Sequence, residues 1–264
     1  YEQLAYFLYG KGYHVSVQLP NKIKAFLAVL NLKSKTDELE ARAIAQIGLL
    51  HKFDKWEPLS EQMYDLKKCC RERVMLVEEK TAVSNRLHAE NACQRPGAST
   101  IDRFQIRIKL LNKQIKAIEK EIEQMVEAHP QLASRVETIC KLKGLGIITV
   151  VTVVAETNAF ALFRNRRQLT SYCGYDVVQR KSGSTVKGKT KISKKGNSHI
   201  RRALHFPALS VIKHNKEFND LYQRVFDRTK IKMKGVVAVQ RKLLLLIFTL
   251  FKKNQAYDPD FRNR

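Results

Sequence analysis

Residues Ile101–Met125 read IDRFQIRIKLLNKQIKAIEKEIEQM. Their apolar members, Ile101, Phe104, Ile108, Leu111, Ile115, Ile118, Ile122 and Met125, follow one another at alternating intervals of three and four. A helix turns once in about 3.6 residues, so this alternation keeps all eight on one stripe, the seam of a coiled coil. Such a stripe must be covered. The preceding stretch offers a partner. Ser60 can cap a helix running to about Cys93, with Met63, Leu66, Cys70, Val77 and Leu87 facing inward. Arg95-Pro96-Gly97 breaks the chain between the two helices. The expectation is an antiparallel coiled-coil hairpin over residues 60–129. Two outcomes fit the seam: it packs inside a helical bundle, or it stays open and joins a second copy of the chain as a dimer or tetramer.

Upstream, residues 1–59 change rhythm. Glu2–Leu8 reads as a helix with Leu4, Phe7 and Leu8 on one face, and Lys11-Gly12 ends it. Tyr13–Val17 alternates and is β-branched, which predicts a strand. A helix then carries Ile23, Phe26, Leu27 and Leu30. Strand followed by helix suggests a small α/β part. Another helix opens in Ser34-Lys35-Thr36-Asp37-Glu38-Leu39-Glu40. Ser34 and Asp37 match a capping box, a structural device. Asp37 and Glu40, three apart, also share one helix face. Paired carboxylates can hold Mg²⁺ and leave positions open for phosphate oxygens. On spacing alone the capping box is the better reading. The chain starts at Tyr1 already inside a helical pattern, which points to an N-terminally incomplete domain. Phe53–Leu59, with Trp56 and Pro58, is a connector.

Downstream, residues 130–264 form a further, mainly helical region. Leu132–Leu142 reads as a short helix, Lys143-Gly144-Leu145-Gly146 as a turn, and Ile147–Glu156 as a helix rich in Val, Ile and Thr. That is a helix-hairpin-helix-like pattern. Gly144 and Gly146 would expose backbone amides at a helix N-terminus, a sequence-independent grip on phosphate. From Val178 to Ile192 almost nothing can build a core. Cations alternate with small residues: Arg180, Lys181, Lys187, Lys189 and Lys191, then Lys194 and Lys195, with Ser182-Gly183-Ser184 in the middle. Lysine and arginine neutralise phosphates, glycine admits a close backbone, and a hydroxyl among cations can attack phosphorus. The plainer alternative is a solvated basic hairpin. Gly196-Asn197 leads into a helix with Arg201 and Arg202, and helices are expected over Ser198–Lys213, Glu217–Asp227 and Lys232–Lys253. His199, His205 and His214 lack a metal-ligand spacing and read as packing or phosphate-facing residues.

The whole chain carries 49 Lys and Arg against 25 Asp and Glu, a formal charge of +24, with 44% hydrophobic residues. That excess points to a polyanion, most simply nucleic acid. No apolar run approaches the roughly 18 residues of a spanning helix, so a membrane partner is not expected. Leu243–Phe251 is the most apolar stretch, and Arg241, Lys242, Lys252 and Lys253 flank it. Five cysteines without C-x-x-C spacing indicate neither a zinc site nor a disulfide framework. A reducing cytoplasm fits them.

Five pieces, in order, give the chain a family likeness. They are Lys35-Thr36-Asp37-x-x-Glu40-Ala41; Lys143-Gly144-Leu145-Gly146 followed by Ala155-Glu156; Leu169–Gly174 with Ser182-Gly183; Ile192-Ser193-Lys194-Lys195-Gly196-Asn197 with Arg201; and Tyr257-Asp258-Pro259. The set resembles the DEDD-type insertion-sequence transposases, the bridge-RNA-guided recombinases, along the full chain. The resemblance implies a RuvC-like (RNase H-like) domain with four Mg²⁺-binding carboxylates, of which residues 1–59 would be the C-terminal portion, then a coiled coil, and a serine transposase domain over 130–264. It implies Ser182 as nucleophile, and Asp37 and Glu40 as the last two carboxylates. It implies donor and target DNA, a structured guide RNA, and a bacterial or archaeal cytoplasm near the nucleoid. Arg180, Lys181, Gly183, Lys187, Lys189, Ser193, Lys194, Lys195, Asn197 and Arg201 would then meet nucleic acid, beside Gly144 and Gly146. The chain departs from the pattern in three ways. Glu40 stands for an aspartate, the first two carboxylates would lie before Tyr1, and Cys173 and Tyr175 replace small and aliphatic residues. Two other classes stay open: a basic nucleic-acid-binding module without chemistry, and a RuvC-like junction nuclease without a covalent step.

Overall fold

The computed structural model describes residues 1–30, 36–161, 163–178 and 190–257, and the backbone of 181–182 and 186–187. The chain divides into two compact units, Tyr1–Leu59 and Ser60–Arg264. It is mainly α-helical, and its strands among the described residues are two short antiparallel ladders within the second unit.

The first unit holds α1 (Glu2–Gly10), α2 (Pro20–Val29) and α3 (Asp37–Leu50). Pro20 sits in the first turn of α2, where its missing N–H costs nothing. Gly12 follows α1 with φ +82, and its N–H donates to the Tyr9 carbonyl. The strand expected at Tyr13–Val17 is absent among the described residues. Residues 13–19 are irregular, joined to the connector by Trp56 N–H to the Val15 carbonyl at 2.8 Å and Ser16 Oγ to the Asp54 carbonyl at 3.0 Å. Alternation alone does not make a strand; it needs a ladder partner, and one backbone bond is not a ladder. The cap of α3 also differs from expectation. Thr36 Oγ1 accepts from Leu39 N–H, so Thr36, not Ser34, is the N-cap. Ser34 and Lys35 lie outside the described residues.

The second unit opens with α4 (Glu61–Asn91) and α5 (Ala98–Glu127). Ser60 caps α4 by accepting from Met63 N–H. The two helices pack antiparallel, with Arg73 paired to Glu119 and the Glu90 carboxylate accepting from Gly97 N–H at the turn. Leu111, Ile115, Ile118 and Ile122 of the seam are buried within the chain, with Val126 beyond them. The packed outcome therefore holds along that length.

Next come α6 (Pro130–Cys140), α7 (Ile147–Glu156), α8 (Arg166–Tyr172), β1 (Val177–Val178), β2 (Lys181–Ser182), β3 (Val186–Lys187), β4 (Lys191–Ile192), α9 (Ser198–Ala203), α10 (His205–His214), α11 (Lys216–Thr229) and α12 (Lys232–Lys253). The core is laid around α7, buried at every position from Val150 to Glu156 and packed on α4, α6 and α9. Eight β-branched residues (Ile, Val and Thr) in a ten-residue helix are poor helix formers; burial overrides that preference. Val239, Leu243, Leu244 and Ile247 of α12 add to the same core. The single helix expected over Ser198–Lys213 is two, broken at Leu204. Pro207 explains the break: it has no N–H for the Ala203 carbonyl, and its ring crowds that carbonyl. After α7 the chain takes three consecutive left-handed residues, Asn158, Ala159 and Phe160. Asparagine tolerates that region, but Ala159 and Phe160 each cost about 1–2 kcal/mol there. Phe160 is anchored in compensation, fully buried and edge-on to Phe248 and Phe251.

Candidate functional site

The basic stretch is a ribbon. At its base β1 pairs with β4, Val177 opposite Ile192 and Val178 opposite Lys191. Further out β2 pairs with β3, Lys181 opposite Lys187 and Ser182 opposite Val186. Ser182 thus occupies an inner rung of a hairpin whose backbone carries cations on both strands. Arg180, Gly183, Ser184 and Lys189 lie outside the described residues, and of Lys181, Ser182 and Lys187 only the backbone is described.

What holds the ribbon's base is the segment Ser193–Asn197. Ser193 N–H donates to the Asp176 carbonyl at 2.8 Å, and Ser193 Oγ donates to Asp176 Oδ1 at 2.6 Å. Lys195 N–H donates back to Ser193 Oγ. Lys194 is left-handed, φ +54, and its N–H donates to the Gly174 carbonyl. Asn197 N–H donates to the Tyr172 carbonyl at 2.8 Å. Gly196 lies so close to the end of α8 that a Cβ there would fall 2.3 Å from the Tyr172 carbonyl oxygen. Only glycine fits. The Lys-Lys-Gly-Asn sequence is therefore a clip folded onto the C-terminus of α8, with both lysines exposed.

Two residues expected to face phosphate are engaged internally. Arg201 Nη1 donates to the carbonyls of Cys173 (2.8 Å), Gly196 (3.2 Å) and Asn197 (3.2 Å). Asn197 Oδ1 caps α9 by accepting from Ile200 N–H, while Nδ2 donates to Glu156 Oε2 at 2.7 Å.

Glu156 is the hub that sequence reasoning left without a role. Its side chain is 0% exposed, at the C-terminus of α7. Arg71 of α4 grips it with two hydrogen bonds, Nε to Oε1 at 2.6 Å and Nη2 to Oε2 at 3.0 Å. Tyr172 Oη donates to the Glu156 backbone carbonyl at 3.0 Å. Burial pushes the carboxyl up, but the hydrogen bonds from Arg71 and Asn197 and the charges of Arg71 and Lys67 outweigh it and hold Glu156 below its ordinary range. Beside it, His199 Nδ1 is buried with no hydrogen-bond partner among the described residues. Burial holds that imidazole below the usual histidine range; Arg71 and Arg202 reinforce this, while Glu156 and Glu78 oppose it. Arg202 pairs with Glu78 of α4. One polar seam thus ties the helical hairpin to the clip. Cys173 and Tyr175, on the same turn, are buried, and burial pushes the Cys173 thiol up to about 12.

The other candidates lie apart from this cluster. Gly144, φ +100, is pressed against α10, where a Cβ would meet Ser210 Oγ at 2.9 Å. Gly146 is the N-cap of α7, with open space around it. Both sit at the opposite end of α7 from Glu156, about 15 Å away at 1.5 Å per residue. Asp37 and Glu40 lie in the first turn of α3, Asp37 exposed and Glu40 half-buried. Among the described residues no group of three or more His, Cys, Asp or Glu is arranged to hold a metal ion. Mg²⁺ commonly takes one or two protein carboxylates and completes its shell with water and phosphate. Asp37 and Glu40 fit it in donor chemistry and need further ligands. No helix among the described residues is long and apolar enough to cross a membrane.

Comparison with known proteins places the chain. Residues 1–90 match the DEDD transposase profile of the IS110 group, and residues 136–223 match the Transposase IS116/IS110/IS902 family. The pilin gene-inverting protein of Moraxella bovis is 23% identical over 259 residues, covering 98% of this chain and 79% of that protein. Its counterpart in Moraxella lacunata gives the same identity and coverage. An uncharacterized 43.6 kDa protein of insertion element IS110 from Streptomyces coelicolor is 21% identical over 167 residues, 62% of this chain and 40% of its own. With two profiles of one group matched in order at either end, the chain belongs to the IS110 family of DEDD-type transposases.

Proposed function

We propose that this transposase cuts and rejoins DNA through the hydroxyl of Ser182. The step balances as a transesterification. Ser182 Oγ bonds to phosphorus, the bond from phosphorus to a deoxyribose oxygen breaks, and the serine proton leaves as the departing oxygen gains one. Attack by a sugar hydroxyl in reverse restores the phosphodiester and frees the serine. A serine hydroxyl is a poor nucleophile until charge developing on phosphate is neutralised. Arg180, Lys181, Lys187, Lys189, Lys194 and Lys195 are the cations for that task. Asn197 and Arg201 act one step back, fixing the base of the ribbon that presents them. The observation that carries this reading is Ser182 on an inner rung of a basic ribbon whose base is clamped by Ser193–Asn197.

In the same reading residues 1–59 are part of a RuvC-like domain, 60–129 a coiled coil that joins copies into a dimer or tetramer through the half-buried Ile101–Ile108 end of its seam rather than the buried Leu111–Ile122, and 130–264 the serine transposase domain. Asp37 and Glu40 would hold Mg²⁺, which when bound supplies Lewis-acid stabilisation to a phosphate oxygen. A structured RNA that pairs with donor and target DNA selects the sites, and Gly144 and Gly146 offer amides to a backbone phosphate. The Moraxella relatives, named for inverting a pilin gene, extend the reading from transposition to inversion.

The test is a denaturing-gel shift with labelled DNA carrying the element's ends, followed by peptide mapping. Ser182→Ala should abolish both recombination and the covalent adduct while binding stays within a few-fold. An adduct that persists in Ser182→Ala, or that maps to Ser184 or Ser193, overturns the assignment.

A further inference from the structure

The helix α5 has two opposite faces. One buries Leu111, Ile115, Ile118 and Ile122. The other carries Lys109, Lys113, Lys116 and Lys120, spaced four, three and four apart, and all four are exposed. At 3.6 residues per turn they fall within about 60° of one another and span about 16 Å of helix axis. None makes an ion pair among the described residues, although Arg73 and Arg202, also at the hairpin, do. Like charges three or four apart on a helix repel. A merely solvated face relieves this by mixing signs. Here the acids on the same line, Asp102, Glu123 and Glu127, come only before and after the lysines.

We propose that the Lys109–Lys120 face of α5 is a binding surface for the sugar–phosphate backbone of duplex nucleic acid. The proposal rests on the nucleic-acid reading given above and adds a surface to it. Protein interfaces are depleted of lysine and anchored by aromatics or arginine, and this line holds neither between Lys109 and Lys120. An anionic membrane would need a continuous apolar face left open beside the lysines; only Ile106 and Leu110 are exposed there, and the apolar stripe Leu111–Ile122 is buried. Duplex DNA carries one charge per roughly 1.7 Å of axis, so about nine charges pass along a 16 Å footprint, ample for four ammonium groups. Lysine is a compact point charge without the fork that reads a guanine edge. The grip is therefore on the backbone and independent of sequence.

The experiment compares the full chain with a variant carrying Lys109→Glu, Lys113→Glu, Lys116→Glu and Lys120→Glu. Affinity for random-sequence duplex DNA and for duplex RNA of about 30 base pairs is measured across a salt series. All four sites are exposed, so circular dichroism and melting should match the parent. Each lost phosphate contact removes about 0.9 from the slope of log affinity against log salt, so the slope should become shallower by about 2 to 4. Loss on both duplexes supports backbone recognition, and loss on one names the strand type the face holds. A parental slope and affinity in the variant overturn the surface alone. A parent that binds neither duplex overturns the nucleic-acid reading and this surface with it.

Discussion

Arg71 and Glu156 form a pair of unequal partners: the guanidinium side chain is 44% exposed and the carboxylate not at all. Removing the exposed partner strands the buried one. Arg71→Ala is expected to lower unfolding free energy by about 3 kcal/mol, the usual cost of breaking a buried pair from one side. Denaturant melts of parent and variant measure it; a change below about 0.5 kcal/mol would show the pair to be ornamental. The pH behaviour has a fixed sign. Glu156 is held below its ordinary value of 4.5 in the folded state. Its contribution is fully present above that value and is lost as pH falls beneath it. Acid melts of parent and Glu156→Gln should therefore converge as pH drops below the ordinary 4.5, with the parent the more stable near neutrality. Little of this was legible in the sequence. Ala155-Glu156 belongs to the family likeness but carries no role there, and its partner is 85 residues away. No spacing rule joins them. Asn197 and Arg201 look like phosphate ligands because cations and amides usually are, yet backbone carbonyls and a carboxylate take them first.

Among the elements, the hairpin was the most legible, because a seam sustained over 25 residues has one geometric solution. What spacing could not say is what covers it. Along Leu111–Val126 the cover is this chain's own helices. Ile122→Ala is therefore expected to cost about 3 kcal/mol. Ile106→Ala, at a side chain 66% exposed, should stay within about 0.5 kcal/mol. Urea unfolding at matched concentrations decides it, and sedimentation supplies the contrary case. If Ile122→Ala lowers the assembled mass with stability intact, the seam serves another copy. The break at Leu204 was missed although Pro207 signals it; the missing strand at Tyr13–Val17 had no such signal, since alternation says nothing about whether a neighbour exists.

For the molecule as a whole, the two units differ in how much they bury. The first hides Ala5, Val15, Ala43 and Ile47 and leaves Leu4, Phe7, Leu19, Val29, Leu49 and Leu50 exposed. The second owns the extended core around α7 and all five cysteines. Residues 60–264 expressed alone are thus expected to give one cooperative, helical melt, and residues 1–59 alone to give none, since small domains bury too little to fold readily. Circular dichroism of the two pieces is the check. A fragment 60–264 that melts without cooperativity would mean its core depends on the first unit. The charge balance was legible as a polyanion partner. The division of labour among the cations was not, because composition counts lysines without saying which of them already have partners.

The burial of α7 carries a last consequence, in time rather than in space. An amide exchanges its hydrogen for deuterium only when its bond to a carbonyl opens, and a helix walled in on all sides opens only with the whole unit. From Val150 to Glu156 every residue is buried. Peptides covering Ile147–Glu156 should therefore be the last in the chain to take up deuterium, slower than the longer α4 and α5, whose outer faces meet water. Their exchange rate would then report the global unfolding of the second unit, and a ligand that binds anywhere on it should slow them all by one common factor.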